Sequence, residues 1–149
     1  MLFRSEMADA KQSSGVRCVI VTPETTVLDT HARFVTLPLF DGQRGVGRGH
    51  SPFIGRLGAG EVRVTGEQGG AAEAVRRTFI EGGFVEVGHD TVTVITQRAI
   101  PGEKLTAAEA RAQLEKLRAT AATGDEAIAA KLKAEETARA LVRAAERRG

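Results

Sequence analysis

The chain is 149 residues long and 42% of these residues are hydrophobic, which suits one ordinary domain or a small domain with an appendage. Its formal charge is only +2, with acids and bases interleaved, so the total charge gives no support to nucleic-acid binding. A single cysteine excludes a disulfide within the chain, and no apolar run approaches the roughly 20 residues that cross a bilayer, so we expect a soluble protein of a reducing compartment.

The first fifteen residues are predicted to be a disordered leader. The segment from Arg4 to Gly15 is polar and aperiodic, and it lacks the apolar stretch of a secretion signal. An alternative is that translation begins at Met7. Just beyond the leader, Cys18 lies in an apolar run, where a thiol is more often a small buried hydrophobe than a nucleophile.

Residues 16–101 are predicted to form a β domain. Short runs of alternating apolar and polar residues are separated by Gly, Pro and Asp, a pattern typical of an antiparallel sandwich. The predicted strands run from Val16 to Thr22, Thr26 to Asp29, Ala32 to Leu39, Glu61 to Thr65, Arg76 to Glu81, Phe84 to Val87 and Val92 to Ile95. Because the chain has no Trp or Tyr, its core must consist of Val, Ile, Leu and a few Phe side chains.

The most loop-like interior segment lies between Asp41 and Pro52. Its glycines allow left-handed backbone conformations ahead of His50. An enzyme hypothesis would make His50 a general base near Asp41 or Ser51, but no motif of catalytic spacing accompanies it. The three histidines fall in different loops, so no metal site is predicted. The Gly-x-Gly-x-Gly run does not lead a strand into a helix, as a phosphate cradle would.

At Pro101-Gly102 the composition changes to Ala, Glu, Lys, Arg and Leu, which predicts helix. Thr106 and Glu109 form a capping box, and Thr123-Gly124-Asp125 supplies a stop and a new N-cap, so residues 102–149 are predicted to form a helical hairpin. The predicted seam consists of Ala107, Ala110, Leu114, Leu117 and Ala121, facing Ala127, Ala130, Ala134, Ala138, Leu141 and Ala145. An alanine methyl contributes only a fraction of the roughly 1.5–3 kcal/mol of a buried Leu, so we expect a hairpin that can open.

The last predicted helix carries a stripe of arginines. Arg139, Arg143 and Arg147 lie four residues apart, with Arg148 beside them. One interpretation is a solvated face in which Glu135 pairs with Arg139. The other is a docking strip for an acidic partner, since arginine makes bidentate contacts with carboxylates. Nucleic acid is a weaker interpretation, because the tail has no aromatic residue to stack on bases.

Four short segments occur in a fixed order before the predicted hairpin: Val21 to Asp29, Gly49-His50-Ser51-Pro52, Gly82 to Val87 and Val92 to Ile95. Together with the hairpin, they resemble the epsilon subunit of bacterial F-type ATP synthases. The resemblance covers about Val16 to the C-terminus. It implies a β-sandwich of about ten strands at the foot of the rotary stalk, which holds the gamma subunit and touches the polar loops of the c-ring. It also implies that the hairpin can rise toward the alpha and beta subunits and inhibit ATP hydrolysis.

The resemblance also implies roles for particular residues. Contacts to gamma and the c-ring are expected from Thr22, Gln43, Arg44, Gly49, His50, Ser51 and Pro52. Inhibitory contacts to alpha and beta are expected from Arg139, Arg143, Arg147 and Arg148. Here Gly47 and Arg48 replace an apolar residue and a proline, and Arg44 replaces a commonly apolar residue, which predicts a more mobile and more basic ring-facing loop. Some relatives bind ATP through Leu-Asp-x-x-Arg-Ala, but Leu105 to Ala110 lacks the Asp and the Arg, so no cofactor is predicted.

The sequence therefore predicts a non-catalytic coupling and regulatory subunit, peripheral to the cytoplasmic face of a bacterial inner membrane. It predicts no catalytic residue and no metal ligand. Two alternatives stay open. One is a stand-alone β-sandwich adaptor with a coiled-coil tail, and the other is an independent enzyme built around His50.

Overall fold

The computed structural model describes residues 15–148, and residue 148 only through its backbone. In this part of the chain seven strands precede two helices. The strands are β1 (Val16–Val21), β2 (Thr26–Leu39), β3 (Gly42–Val46), β4 (Phe53–Glu67), β5 (Val75–Gly88), β6 (Thr91–Ile95) and β7 (Ala99–Pro101). A 3-10 turn at Gly102–Lys104 leads to helices α1 (Ala107–Ala119) and α2 (Asp125–Arg148). The predicted leader lies outside the described residues except for Gly15, which is buried against Ala32.

The strands close into a ring. β1 pairs antiparallel with β2 on one side and parallel with β6 on the other. The ring continues through antiparallel pairs of β2 with β4, β4 with β5, and β5 with β6. Outside the ring, β3 pairs with β2 and β7 pairs with β5. The result is a closed β body. Two of its long strands change neighbours along their length, since β2 pairs with β1 and then β3, and β5 pairs with β7 and then β6.

Residues 15–148 contain seven strands, so the count of about ten implied by the resemblance is not confirmed, and two of the long strands merge strands that were predicted separately. β2 joins two predicted strands, and β5 continues through Gly82-Gly83, where both glycines have positive φ, 93° and 114°. A Cβ on Gly83 would collide with the Ile95 carbonyl, so glycine lets β5 bend without ending. Those two residues were expected to separate strands.

The prediction of one flexible glycine-rich loop is also wrong in part. Residues Gly42–Val46 form strand β3, which leaves a turn at Phe40-Asp41 before it and an irregular segment at residues 47–52 after it. The ring of Phe34 on β2 lies across Gly45, at a position where any Cβ would overlap it. Glycine is therefore required at this strand position by packing, and not only by turn geometry.

The inward side chains of the β body form its core. Fully or almost fully buried members include Ile20, Val35, Leu37, Val62, Val64, Ile80, Val85, Val92 and Val94. Cys18 belongs to the same core, which confirms that it is a buried hydrophobe. Burial raises the pKa of its thiol to about 12, and the nearby negative charges of Glu67 and Asp29 act in the same direction.

The tail folds into the predicted helical hairpin, with differences at its turn. Thr106 is the N-cap of α1, and its hydroxyl donates to the Glu109 carboxylate at 2.9 Å. α1 ends at Ala119, before the predicted stop at Thr123. Gly124, with φ of 93°, takes the cap position expected for Asp125, because its carbonyl accepts the Ile128 N–H.

The seam between the helices is closed at only one end. The buried seam residues are Ala110, Leu114, Ala138, Leu141 and Ala145. Near the turn, Ala121, Ala127 and Ala130 are exposed although they were expected in the seam. Ala140 and Ala144 are buried although they lie off the predicted stripe, because they face the outside of the β body.

Candidate partner-binding surfaces

An apolar face lies on the outside of β4, β5 and β6. Arg56, Phe84 and Ile95 are opposite one another on the three strands, and Phe84 and Ile95 are 59% and 54% exposed. Ile54, two residues before Arg56, is 79% exposed. Phe40 is 71% exposed, and the Arg56 guanidinium carbon lies 5.2 Å from the centre of its ring. We call Phe40, Ile54, Phe84 and Ile95 the apolar face, and contiguous exposure of this kind marks an interaction site.

The sequence did not point to the apolar face. Phe53-Ile54 and Phe84-Val85 are adjacent apolar pairs, and alternation alone does not say which member of each pair faces inward. The structure places Val85 in the core and leaves Phe84 outside. The sequence does contain one indication of this face. When two adjacent strand residues are both large and apolar, one of them faces away from the core, which predicts that a partner covers it.

A loop cluster forms around the ring of Phe53. The Arg44 guanidinium carbon lies 4.9 Å from the centre of this ring, and the ring of His50 lies 5.3 Å from it. His50 Nδ1 is 2.8 Å from the Ser51 carbonyl oxygen. The Gly49 N–H donates to Asp90 Oδ1 at 2.7 Å, which ties the loop to the β5–β6 turn. The structure thus brings Arg44 together with Gly49, His50, Ser51 and Pro52.

Thr22 and Gln43 lie apart from the loop cluster. The loop cluster lies near the start of β1, because its residue Asp90 accepts a hydrogen bond from the Arg17 N–H through its main-chain carbonyl. Thr22 follows the other end of β1 and is therefore roughly 17 Å from Arg17, at ~3.3 Å per residue. Thr22 instead adjoins Val21, whose neighbour on β6 is Ile95 of the apolar face. Gln43 accepts a hydrogen bond from Arg63 at 2.9 Å and lines a cleft beside α2.

The arginine stripe of α2 is divided among different contacts. Arg139 donates to Glu135 at 3.2 Å, the pairing that the solvated-face interpretation expects. Arg147 instead donates to Glu61 on β4 at 3.3 Å. Arg143 is exposed and forms no ion pair with another residue of the described chain. The side chain of Arg148 lies outside the described part.

The contact between hairpin and β body is narrow and alanine-rich. On the β side Phe79 is fully buried, and it lies opposite Glu61 in the β4–β5 pair. On the helix side the buried residues are Ala110 of α1 and Ala140, Leu141, Ala144 and Ala145 of α2. Arg111 and Glu146 join the two helices at 2.7 Å. We call this arrangement, with the hairpin covering Phe79 and Glu61, the docked state.

Sequence reasoning missed Glu61. Its alternation with Val62 and Val64 places it on the outer face of β4, where a carboxylate is normally hydrated. The structure leaves its side chain only 3% exposed, because α2 covers it. No pattern local to the strand could reveal this burial.

The described part of the chain contains neither a membrane-spanning helix nor a metal-binding cluster. No helix of residues 15–148 is both long and apolar enough to cross a membrane. Within the same residues, no three His, Cys, Asp or Glu side chains are grouped so that they could hold a metal ion.

Comparison with known proteins agrees with the resemblance. A family model described as "ATP synthase, Delta/Epsilon chain, beta-sandwich domain" matches residues 15–102. The ATP synthase epsilon chain of Rhodopirellula baltica is 50% identical over 91 residues, 61% of this chain and 67% of that protein. The ATP synthase epsilon chain of a Synechococcus species is 39% identical over 130 residues, 85% of this chain and 90% of that protein.

Solved structures share the fold. A chain of the mitochondrial ATP synthase of Euglena gracilis, in an assembly of OSCP, F1 and c-ring, gives a TM-score of 0.75 at 22% identity, covering 88% of this chain and 81% of that chain. A chain of the Tetrahymena thermophila central stalk and c-ring gives 0.65 at 16% identity, covering 87% and 96%. The family match over the strands and the Synechococcus match over most of both proteins lead to one conclusion. The chain belongs to the family of epsilon subunits of bacterial F-type ATP synthases.

Proposed function

We propose that the chain is a non-catalytic subunit of the rotary central stalk, whose β body binds the gamma subunit and the c-ring and whose hairpin inhibits ATP hydrolysis. The observation that carries this proposal is the apolar face of Phe40, Ile54, Phe84 and Ile95. Ile54, Phe84 and Ile95 lie on adjacent strands and Phe40 lies in the β2–β3 turn. Four large apolar side chains are costly to leave in water, so a permanent partner is expected to cover them. Family membership, and a fold shared with chains of F1/c-ring and central-stalk assemblies, support that partner being a stalk subunit.

Gamma is the proposed occupant of the apolar face. Burial of a Phe or Ile contributes about 1.5–3 kcal/mol, so four such residues can offset a large part of the cost of association. Arg56 lies between Phe40 and Phe84 and supplies a cation in the middle of the patch. Thr22, next to the Ile95 edge, is proposed to border this contact.

The loop cluster is proposed to face the c-ring. Arg44, Arg48 and His50 give this end of the β body a basic, hydrogen-bonding character suited to polar loops. Gly49, Ser51 and Pro52 are exposed beside them. Gln43 lies apart from the loop cluster, beside α2, and is proposed to make a separate contact with gamma or the c-ring.

The hairpin is proposed to be the inhibitory arm. Its contact with the β body is narrow, so an open state in which Arg139, Arg143, Arg147 and Arg148 contact acidic surfaces of alpha and beta is energetically accessible. In this proposal the subunit passes on torque without chemistry of its own and binds no cofactor. It is held at the cytoplasmic face of the bacterial inner membrane through the complex.

The test is the affinity of the full chain for purified gamma after a charge is placed on the apolar face. Ile54→Glu and Phe84→Glu should each weaken binding tenfold or more, since ~1.4 kcal/mol corresponds to tenfold and each side chain contributes about 1.5–3 kcal/mol. Ile128→Glu is the matched control, because Ile128 is 45% exposed on α2, away from this face. Unchanged circular dichroism establishes that the variants fold. If both Ile54→Glu and Phe84→Glu bound gamma with wild-type affinity, the proposal that gamma covers the apolar face would be wrong. If purification of the chain recovered no ATP synthase subunit, the stand-alone adaptor would be favoured.

A further inference from the structure

The most deeply buried carboxylate of residues 15–147 lies under the hairpin. Glu61 is 6% exposed as a residue, and α2 covers it through Arg147. We propose that Glu61 and Arg147 form an ionic catch, a pair that stabilises the docked hairpin and must break whenever the hairpin opens. This inference concerns the isolated chain and does not rest on the proposed function.

The geometry makes Glu61 dependent on α2. Its Oε1 accepts from Arg147 Nη1 at 3.3 Å and lies 3.8 Å from Arg77 Nη1. Its Oε2 is buried without a hydrogen-bond partner in the described residues. A carboxylate removed from water loses its hydration and is stabilised only by the charges that remain near it. Within the β body Arg77 is the nearest cation, and its distance exceeds that of a hydrogen bond.

The two partners of the catch are not equivalent. The Arg147 side chain is 48% exposed and borders clefts on both sides, so it can turn into water while the hairpin stays docked. Glu61 cannot do so, because its side chain is 3% exposed and becomes hydrated only when α2 leaves. Loss of Arg147 should therefore penalise the docked state strongly, whereas loss of the Glu61 charge should penalise it much less.

A competing interpretation of the same region is an anion site. One cleft beside α2 is lined by Arg76, Arg77 and Arg147. Each of these arginines already faces a carboxylate, since Arg76 lies 2.6 Å from Glu67 and the other two contact Glu61. Glu103 also lines the cleft, so three carboxylates of the chain balance the three arginines, and the observations favour the ionic catch.

The catch can be tested with two thiols in one molecule. Ala144→Cys introduces a thiol at a site that is 2% exposed under the docked hairpin, whereas Cys18 is fully buried in the β core. The rate at which a thiol reagent modifies the introduced thiol reports opening of the hairpin, and the rate at Cys18 reports opening of the β body. Each variant below is made in this background.

Arg147→Met should increase the rate of modification at position 144 on the order of tenfold or more, because it leaves the buried Glu61 carboxylate without its partner in the docked state. Glu61→Gln should have a smaller effect, and the matched control Arg143→Met should have almost none, since Arg143 is one turn away and unpaired in the described chain. Combining Glu61→Leu with Arg147→Met should return the rate to the wild-type value or below, because apolar residues often replace a buried pair without loss.

The rate at Cys18 should stay constant throughout. Equal rates in Arg147→Met and Arg143→Met would overturn the catch. So would a double variant that opens as readily as Arg147→Met alone. A faster reaction at Cys18 in Arg147→Met would place the effect in the β body and equally count against the proposal.

Discussion

Phe79 and Ile80 are neighbours on β5 that stabilise different parts of the molecule. Both are fully buried, but Phe79 packs under the hairpin and Ile80 packs in the β core. We predict that Phe79→Ala opens the hairpin and leaves the β body intact, whereas Ile80→Ala destabilises the β body. The two substitutions are matched, since they remove buried apolar side chains from adjacent positions of one strand.

The expected magnitudes follow from the two environments. Burial of Leu141 contributes about 1.5–3 kcal/mol, and the three alanines beside it add about 0.8 kcal/mol per methyl group. Replacing a buried Phe by Ala costs about 3–5 kcal/mol, which is comparable with the contribution of these four side chains, so Phe79→Ala should favour the undocked hairpin. Ile80→Ala should lower the free energy of unfolding of the β body by about 2–5 kcal/mol.

The assay compares urea unfolding of the β body with thiol modification of the Ala144→Cys variant. Phe79→Ala should speed modification at position 144 and shift the urea midpoint little, and Ile80→Ala should do the reverse. If Phe79→Ala instead lowered the urea midpoint as much as Ile80→Ala, hairpin and β body would unfold as one cooperative unit. The description of the hairpin as a separately released element would then be wrong.

Two further predictions concern charges. Burial alone would raise the pKa of Glu67, but hydrogen bonds from Arg76 at 2.6 Å and Thr30 at 2.9 Å outweigh it and lower the pKa. The unfolded chain therefore binds this proton more readily. Glu67→Gln should destabilise the protein at pH 7 in thermal unfolding, and the difference should vanish as the pH falls through the folded pKa. Glu73 is exposed, so Glu73→Gln should leave the melting temperature at pH 7 almost unchanged. Arg143→Glu should relieve inhibition of ATP hydrolysis in the assembled soluble head without changing modification at position 144, and full inhibition by this variant would exclude Arg143 from the inhibitory contact.

The positions of strands and helices could be predicted from the sequence because they depend on residues close together in the chain. Strand positions follow from alternation, as at β1 and β6, and the start of α1 follows from Thr106 and Glu109. The alanine content of the tail likewise predicted a thin seam between the two helices, and the buried seam residues in the structure are three alanines and two leucines. The family resemblance followed from the order of short motifs and was confirmed by the family match.

The tertiary structure decided what depends on residues far apart in the chain. Glycine signals a change of direction, but β5 continues through its bend at Gly82-Gly83 because β4 pairs with both halves of the strand. The apolar face depends on which side of β4 and β5 turns inward, and that side is fixed by closure of the ring of strands. Glu61 is buried by α2, whose residue Arg147 contacts it from a position 86 residues later in the chain. Burial is a property of the whole fold, so the sequence determined the elements and only their assembly determined the surfaces.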